Sequence, residues 1–281
     1  MPLVLDGTNG VSGVDGTASN PAIEGTDSNT GIFYPAADTW AVATGGTEAL
    51  RVTSAQNVGI GTSTPATISN RTVLSINNAS NGGALNLLVN GTETLRLLTD
   101  NSSFGYVYNV ANQPLLFGTN NTERMRISAS GQVTKPNQPA FLATRDSGNQ
   151  TGLTTGSDLI FASEVYDEGS NYNASTGVFT APVTGKYLFT CTALFTAITN
   201  GQEIDVALIT SNRTFFFGNP GRLEVSTGVT FGDGYISYGI SQIVDMDAND
   251  TAYCEVASVS SGTIALYSGA TWTRFAGYLL G

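Results

Sequence analysis

The sequence predicts an all-β protein in which an N-terminal stalk of β-hairpin repeats precedes a β-sandwich head. Three observations lead to this fold class. Charged residues make up only 12% of the 281-residue chain, and Gly, Thr, Ser and Asn dominate the polar remainder. One short phrase occurs three times in the first half of the chain. Short, alternating strand candidates then follow one another through the second half.

The repeated phrase has the pattern of a hairpin unit. Its copies are Gly46–Val52, Gly91–Leu97 and Asn121–Ile127, and each opens with a turn residue before an alternating apolar and polar strand. The apolar positions would share one face of the strand and the Arg residues the other. The Glu and Arg of the phrase could pair between chains. A unit this short cannot bury its own apolar face, so it must stack on a neighbouring unit or on another chain.

We expect four segments along the chain. Residues 1–45 form an attachment segment, residues 46–134 the repeat stalk, residues 135–139 a Pro-containing linker, and residues 140–281 the head. Two prolines with polar neighbours make the linker stiff and extended. Strands of the head are predicted at Ala140–Arg145, Leu159–Val165, Lys186–Ala197, Glu203–Thr210, Tyr235–Asp245, Thr251–Val259 and Thr271–Leu280. Short strands without a helical segment are typical of a sandwich or barrel.

The stretch Tyr172–Phe189 carries the most specific signal in the head. Ser175–Gly177 and Val183–Gly185 are turn sequences, and Pro182 has no amide hydrogen to donate to a sheet. Together with the ending Thr273–Leu280, this stretch resembles the signature of C1q-like domains, compact jelly rolls that assemble as trimers.

The resemblance implies a homotrimeric head that binds surfaces and does no chemistry. It also implies that the last strand, with its Phe-x-Gly-x-Leu pattern, lies at the centre of the trimer. On this basis we predict Tyr187, Phe189, Phe275 and Tyr278 as trimer-core residues.

Four phrases in the first half resemble those of tail-fibre and appendage proteins of tailed phages. They are Leu3–Val11, Asn29–Asp38, Asn57–Thr62 and Arg124–Gly131. The resemblance implies a virion protein exposed to the extracellular medium, docked to other virion proteins through its N-terminus. Its head would recognise a glycan or a protein on the host surface. The alternative is a capsid-attached head fibre or decoration protein without a dedicated receptor role.

Charge and composition argue against two classes of partner. The formal net charge is −11 and the pI is near 4.2, whereas binding of nucleic acid needs basic side chains to neutralise phosphates. No apolar run reaches the roughly 18 residues that span a bilayer, and no signal peptide is recognisable. We therefore expect no nucleic acid, no membrane insertion, and release from the producing cell by a route such as lysis.

Catalytic chemistry is not expected either. The chain has no histidine, which removes Ser-His-Asp and Cys-His arrangements together with the commonest general base. Carboxylate pairs such as Asp167 with Glu168 fit solvated turns, although two carboxylates are enough for a glycoside hydrolase. We expect no cofactor. The run Asp245–Asp250 lacks the Gly and Glu of an EF-hand loop, which leaves only a weak calcium site open.

An aromatic run in the head is the candidate receptor contact. Phe215 and Phe217, followed by Asn219 and Arg222, place rings beside a Gly-Asn-Pro-Gly loop. Because adjacent strand residues alternate between the two faces, some of these rings would be buried and others would face a partner. These four residues are the predicted receptor-binding residues, and the competing interpretation is core plus trimer interface.

The chain has two cysteines, Cys191 and Cys254. Both fall in alternating apolar stretches, so each is expected to be a small buried hydrophobe rather than a redox group. Their spacing leaves open whether they form a disulfide.

Overall fold

The structure is a computed structural model that describes residues 4–6, 10–12, 14–199, 201–217, 223–224 and 234–280. Every regular element in these ranges is a β-strand, which confirms the predicted all-β class. Within the same ranges no helix is long and apolar enough to cross a membrane. The chain folds as two compact units, residues 1–116 with 126–133 and residues 117–125 with 134–281.

The strands before the head form small sheets of sequential neighbours. In the described part of residues 1–134 they are β1 (Val4–Asp6), β2 (Gly10–Ser12), β3 (Gly16–Thr17), β4 (Asn20–Pro21), β5 (Ile23–Glu24), β6 (Gly31–Ala36), β7 (Thr39–Thr44), β8 (Thr47–Val52), β9 (Val58–Ile60), β10 (Leu74–Ile76), β11 (Ala84–Val89), β12 (Thr92–Thr99), β13 (Gly105–Asn109), β14 (Leu115–Thr119), β15 (Thr122–Ile127) and β16 (Val133–Thr134). The strand orders are β1-β2, β3-β4, β10-β9-β8-β7-β6-β5, β11-β12-β13 and β14-β15-β16. Phe33, Ala41 and Ala43 make a small core in the six-stranded sheet.

Each copy of the repeated phrase forms the second strand of a hairpin, as predicted. The turns before β8, β12 and β15 have positive φ at both central residues, which are Gly45–Gly46, Asn90–Gly91 and Asn120–Asn121. Positive φ at both positions is the requirement of a type I′ turn, and Gly and Asn adopt it at little cost. The turn residues of the phrase therefore fix the hairpins.

In the first two copies of the phrase, the Glu and Arg pair within their own strand rather than needing another chain. The Arg51 guanidinium donates to the Glu48 carboxylate in two bonds of 2.7 Å, and Arg96 donates to Glu93 at 2.7 and 2.5 Å. Residues three apart on a regular strand point to opposite faces. A shift of register inside these two copies restores a shared face, because β8 and β12 each carry one extra residue there.

One face of the β11-β12-β13 sheet is apolar and open to solvent in the single chain. Leu85, Leu97 and Val107 lie side by side in register and are 42%, 41% and 52% exposed. Leu87 and Leu95 form the next row of the same face. We call these five residues the stalk face.

The head is a sandwich of two antiparallel sheets. Its described strands are β17 (Ala140–Thr144), β18 (Gln150–Leu153), β19 (Ser157–Asp158), β20 (Ser163–Glu168), β21 (Tyr172–Asn173), β22 (Val178–Thr180), β23 (Gly185–Thr196), β24 (Glu203–Thr210), β25 (Thr214–Phe216), β26 (Leu223–Glu224), β27 (Ile236–Met246), β28 (Thr251–Val259), β29 (Ile264–Leu266) and β30 (Arg274–Leu279). The first sheet has the order β18-β29-β23-β30-β17-β20, with β27 also paired to β23. The second has the order β21-β22-β28-β24-β25, with β19 beside β28 and β26 beside β24.

Aromatic rings from both sheets form the centre of the sandwich. The Phe141 ring stacks on Tyr172 at 4.6 Å and on Phe179 at 5.1 Å, and Phe275 meets it edge-on at 5.0 Å. The Phe189 ring also stacks on Phe275, with centroids 5.9 Å apart. Each such pair contributes about 0.5–1.5 kcal/mol beyond the burial of its area. The rings therefore tie the first sheet to the second.

The predicted strand Leu159–Val165 is wrong over part of its length. Strand β19 ends at Asp158 and β20 begins at Ser163. Leu159 and Phe161 lie between them with fully buried side chains. Residues 159–162 cross from the second sheet to the first, and the side chains of Leu159 and Phe161 enter the core from this connection. Their alternation with the residues between them resembles that of a strand.

Gly277→Ala is expected to lower the free energy of unfolding of the head by about 1–3 kcal/mol, since overpacking a core displaces its side chains. A Cβ here would lie 2.5 Å from Phe141 Cε1 and 2.8 Å from Phe189 Cε1. Urea unfolding of the full chain, followed by fluorescence, measures the change.

Gly239→Ala is the matched control, since Gly239 lies in β27 of the same sheet. A Cβ there would meet only the Cys191 carbonyl oxygen, at the ordinary distance of 3.6 Å. Equal losses of stability in the two variants would contradict the role given to the ring stack.

Candidate functional site: an exposed apolar sheet face

The outward side of the first head sheet carries a row of apolar side chains. Strand register places Ile243 of β27 beside Leu188 of β23, and Leu188 beside Tyr278 of β30. Ile243 is 54% exposed and Tyr278 is 46% exposed, whereas their strand neighbours Val244 and Leu279 are buried. Period-two alternation thus sends one apolar set to the core and a second set to the surface.

A second row continues this surface across the sheet. Ala276 of β30 is in register with Leu142 of β17, and Leu142 is in register with Tyr166 of β20. Tyr166 is exposed, and the other two side chains are half-buried. We call the six residues of the two rows the apolar sheet face. It runs over five neighbouring strands, and monomeric soluble proteins rarely expose contiguous apolar surface of this kind unless it binds something.

Three of the four predicted trimer-core residues lie in the core of the single chain instead. Tyr187, Phe189 and Phe275 are fully buried inside one subunit, so they have no surface to offer a second chain. Their strands point every second residue inward, and a shift of one residue exchanges core for surface. Tyr278 does lie on the outward side, on the apolar sheet face.

The predicted receptor residues are not brought together by the described part of the structure. Phe217 is buried at 6% exposure, and Phe215 is half-buried against the same core. Phe216, which lies between them, is the exposed ring of the run. Asn219 and Arg222 lie outside the described residues. Phe215 and Phe217 are predicted to face a partner, but both face the core and Phe216 faces outward.

The acidic turn after β27 is held by hydrogen bonds of its own. The Asp250 carboxylate accepts from the Asp247 amide at 2.9 Å and from Asn212 Nδ2 at 2.7 Å. Lys186 Nζ lies 2.8 Å from Asp245 Oδ1, and this hydrogen bond lowers the pKa of Asp245. An open cleft of about 300 Å³ lies beside these groups. Among the described residues no three acidic, His or Cys side chains converge as metal ligands.

The two cysteines are free thiols, and both are buried. They come from different sheets, Cys191 from β23 and Cys254 from β28, and their side chains are hydrogen-bonded. Burial, reinforced by that hydrogen bond, raises the pKa of the Cys254 thiol well above its usual value. A thiol in this state is a packing group rather than a nucleophile.

Two carboxylates face each other on the second sheet. Asp158 of β19 is directly opposite Glu255 of β28. Partial burial raises the pKa of Asp158, and burial with the charge of Asp158 raises the pKa of Glu255. Like charges directly opposite each other on a sheet are destabilising. The pair therefore makes the head less stable when both groups are ionised.

The two-layer antiparallel sandwich defines a jelly-roll domain. Residues 140–280 match the family model of the C1q domain, and the chain belongs to this family. Domains of this kind are typically ligand-binding modules without catalytic activity. No curated protein sequence matches the chain.

Several solved structures resemble the head, and they cover about half of this chain and nearly all of their own. The globular domain of zebrafish complement 1qA protein is 18% identical over 51% of this chain and 98% of its own, with a TM-score of 0.37. The Eiger TNF of S. frugiperda is 12% identical over 52% and 94%, with a TM-score of 0.36. Murine APRIL at pH 8.5 is 12% identical over 51% and 99%, with a TM-score of 0.35.

Asp158→Asn is expected to raise the melting temperature at pH 7 and to lose this advantage below the ordinary Asp value of 3.8. The folded-state pKa of Asp158 is raised, so its favourable contribution is present at low pH and is lost as the pH rises through that pKa. Thermal unfolding of both proteins across this pH range measures the difference.

Asp245→Asn is the control of opposite sign, because the pKa of Asp245 is lowered by Lys186. Both groups are fully exposed and the pair is screened by water, so its removal should leave the melting temperature at pH 7 unchanged or lower. A decrease for Asp158→Asn at pH 7 would show that the carboxylates do not repel each other.

Proposed function

We propose that this chain is a homotrimeric bacteriophage fibre protein whose three C1q domains form a head that recognises the host cell surface. The observation that carries the proposal is the apolar sheet face, a set of six uncharged outward side chains, three of them exposed, on a domain of the C1q family. In the proposed assembly, three copies of this face meet around a threefold axis.

Burial of the apolar sheet face would contribute favourable free energy to trimer assembly. Fully burying a Leu, Ile or Phe side chain contributes about 1.5–3 kcal/mol. Ile243, Tyr278 and Tyr166 each expose roughly half of their surface in the single chain. Three copies of the face would bury nine such side chains in one assembly, and no charged residue belongs to the face. A closed trimer is the arrangement that the family resemblance favours.

The stalk face supports the same assembly from the other unit of the chain. Four of its five residues, Leu85, Leu87, Leu97 and Val107, are exposed in the single chain, and Leu95 is half-buried. A sheet with one apolar face is stabilised when that face is buried against another layer. The same segment of a second and a third copy would supply that layer. The phage-like phrases of the first half are the support for a virion-bound fibre.

Threefold display suits adhesion to a repetitive cell surface. When three identical sites are linked, the second and third contacts become intramolecular, and the avidity exceeds the single-site affinity by about 10²–10⁴. The head therefore does not need a tight individual site to hold a cell.

The assembly is tested with the double variant Ile243→Lys, Leu97→Lys in the full chain. We expect trimers for the unmodified chain and monomers for the variant, because each lysine would have to be desolvated in an apolar contact. Light scattering after size exclusion measures the mass. Both side chains are exposed in the single chain, so the fold should survive.

The matched control is Phe216→Lys with Asn86→Lys. Phe216 is exposed on the second head sheet, and Asn86 lies on the side of the β11-β12-β13 sheet opposite to the stalk face. This control should remain trimeric. A monomeric unmodified chain, or a trimeric Ile243→Lys, Leu97→Lys variant, would overturn the assembly.

The receptor role is tested separately by binding of labelled trimers to host cells. We expect saturable binding by the trimer and a loss of about 10²-fold or more for the monomeric variant, as avidity is lost. A trimer that binds none of the candidate hosts would argue for a structural virion protein without a receptor role.

A further inference from the structure

Three aromatic side chains cluster at the end of the head sheets. Tyr267 follows β29, Trp272 precedes β30 and Tyr235 precedes β27. Trp272 is 60% exposed and Tyr235 is 41% exposed. The Tyr235 and Tyr267 rings meet edge to face, with centroids 5.2 Å apart and planes at 85°. We call these three residues the aromatic patch.

A glycine brings Tyr267 and Trp272 together. A Cβ on Gly269 would lie 3.1 Å from Tyr267 Cε1 and 3.2 Å from Trp272 Cδ1, so both rings rest against the Gly269 backbone. Three hydrogen bonds hold the turn that presents them. The Gly269 amide donates to the Arg145 carbonyl at 2.6 Å, and the Gly269 carbonyl accepts from Trp272 and Thr273 at 2.9 Å. The rings are therefore held in place before any ligand arrives.

Hydrogen-bonding groups lie next to Tyr267 and in the neighbouring 146–149 loop. The Ser268 amide donates to Asn149 Oδ1 at 2.7 Å, and the Gly148 amide donates to Ser268 Oγ at 3.0 Å. These bonds tie the 146–149 loop to the residue next to Tyr267. The Asn149 Nδ2 group has no partner among the described residues and can donate to a ligand, as can the Ser268 hydroxyl.

The aromatic patch is separate from the apolar sheet face. The outward row of the sheet between them consists of Gly239, Thr192 and Arg274 in register. The patch is therefore not a continuation of the proposed contact between copies. The exposed Trp272 ring therefore lies outside the proposed contact between copies, and its apolar surface is accessible to a ligand.

We propose that the aromatic patch binds a neutral glycan, with a pyranose ring stacked on Trp272 and its hydroxyl groups bonded to the adjacent polar groups. The C–H groups of a pyranose offer an apolar face that matches an aromatic ring, and its hydroxyls match amide and hydroxyl partners. Residues 138–281 carry 13 Asp and Glu against 5 Lys and Arg, a balance of −8 that disfavours an acidic polysaccharide. This inference deepens the receptor role proposed above.

The chain offers a direct optical test. It has two tryptophans, Trp40 and Trp272, so the Trp40→Phe variant leaves Trp272 as the single reporter. Titrating this full-length variant with neutral hexasaccharides of glucose, galactose, mannose and N-acetylglucosamine should change the Trp272 fluorescence with at least one of them. Oligogalacturonate, an acidic probe, should not bind.

Two substitutions locate the binding on the patch, with affinity measured by calorimetry for the sugar that binds. Tyr235→Ala and Trp272→Ala should each weaken binding by about tenfold or more, as loss of an aromatic anchor does. Phe216→Ala, which removes an exposed ring from the second sheet, should leave affinity unchanged. The mass of each variant is measured in parallel and should remain that of the unmodified chain.

The outcomes separate this inference from the proposed function. Trimers that bind host cells but bind no neutral hexasaccharide at millimolar concentration would overturn the glycan site alone. Equal affinity in Trp272→Ala and the unmodified chain would also overturn it. Loss of the trimer in Trp272→Ala would show that the patch is a contact between copies and not a ligand site.

Discussion

The head depends on one steric constraint, the absence of a side chain at Gly277. The Phe141 and Phe189 rings occupy the space that a Cβ there would need. Side chains alternate along β30, so Phe275, Gly277 and Leu279 face the core while Ala276 and Tyr278 face outward. The two rings can fill the core above residue 277 only because that residue has no side chain. The Phe-x-Gly-x-Leu ending of the chain is thus a packing requirement, and the position of the apolar sheet face follows from it.

Much of the fold could be predicted because local signals determine it. Gly and Asn at the hairpin turns, and alternation along Lys186–Ala197 and Thr251–Val259, depend only on neighbouring residues. Which face each residue takes depends on the second sheet, which local patterns do not reveal. One signal was nevertheless present. Phe275 and Tyr278 are three positions apart, so they cannot share a face of a regular strand.

The candidate binding surfaces were harder to predict than the strands. Ile243 follows Ser241 and Gly239 on the outward side of β27, and these two residues do not indicate that an apolar surface begins at Ile243. Leu188 and Tyr166 become part of one face only because β23, β30, β17 and β20 are adjacent in the sheet. The aromatic patch likewise joins residue 235, which precedes β27, to residues 267 and 272 of the loop between β29 and β30. Such surfaces are set by non-local pairing.

The ion pairs of the hairpins have a consequence for assembly. Arg51 and Arg96 are satisfied by Glu48 and Glu93 of their own strands, so these charges carry no information about which chain is the partner or at what register it binds. At these two hairpins, matching of stalks would rest on the shape of apolar side chains. In the proposed fibre, cohesion between stalks would then tolerate changes of ionic strength and would weaken on cooling, because apolar contacts are unscreened by salt but lose strength in cold water.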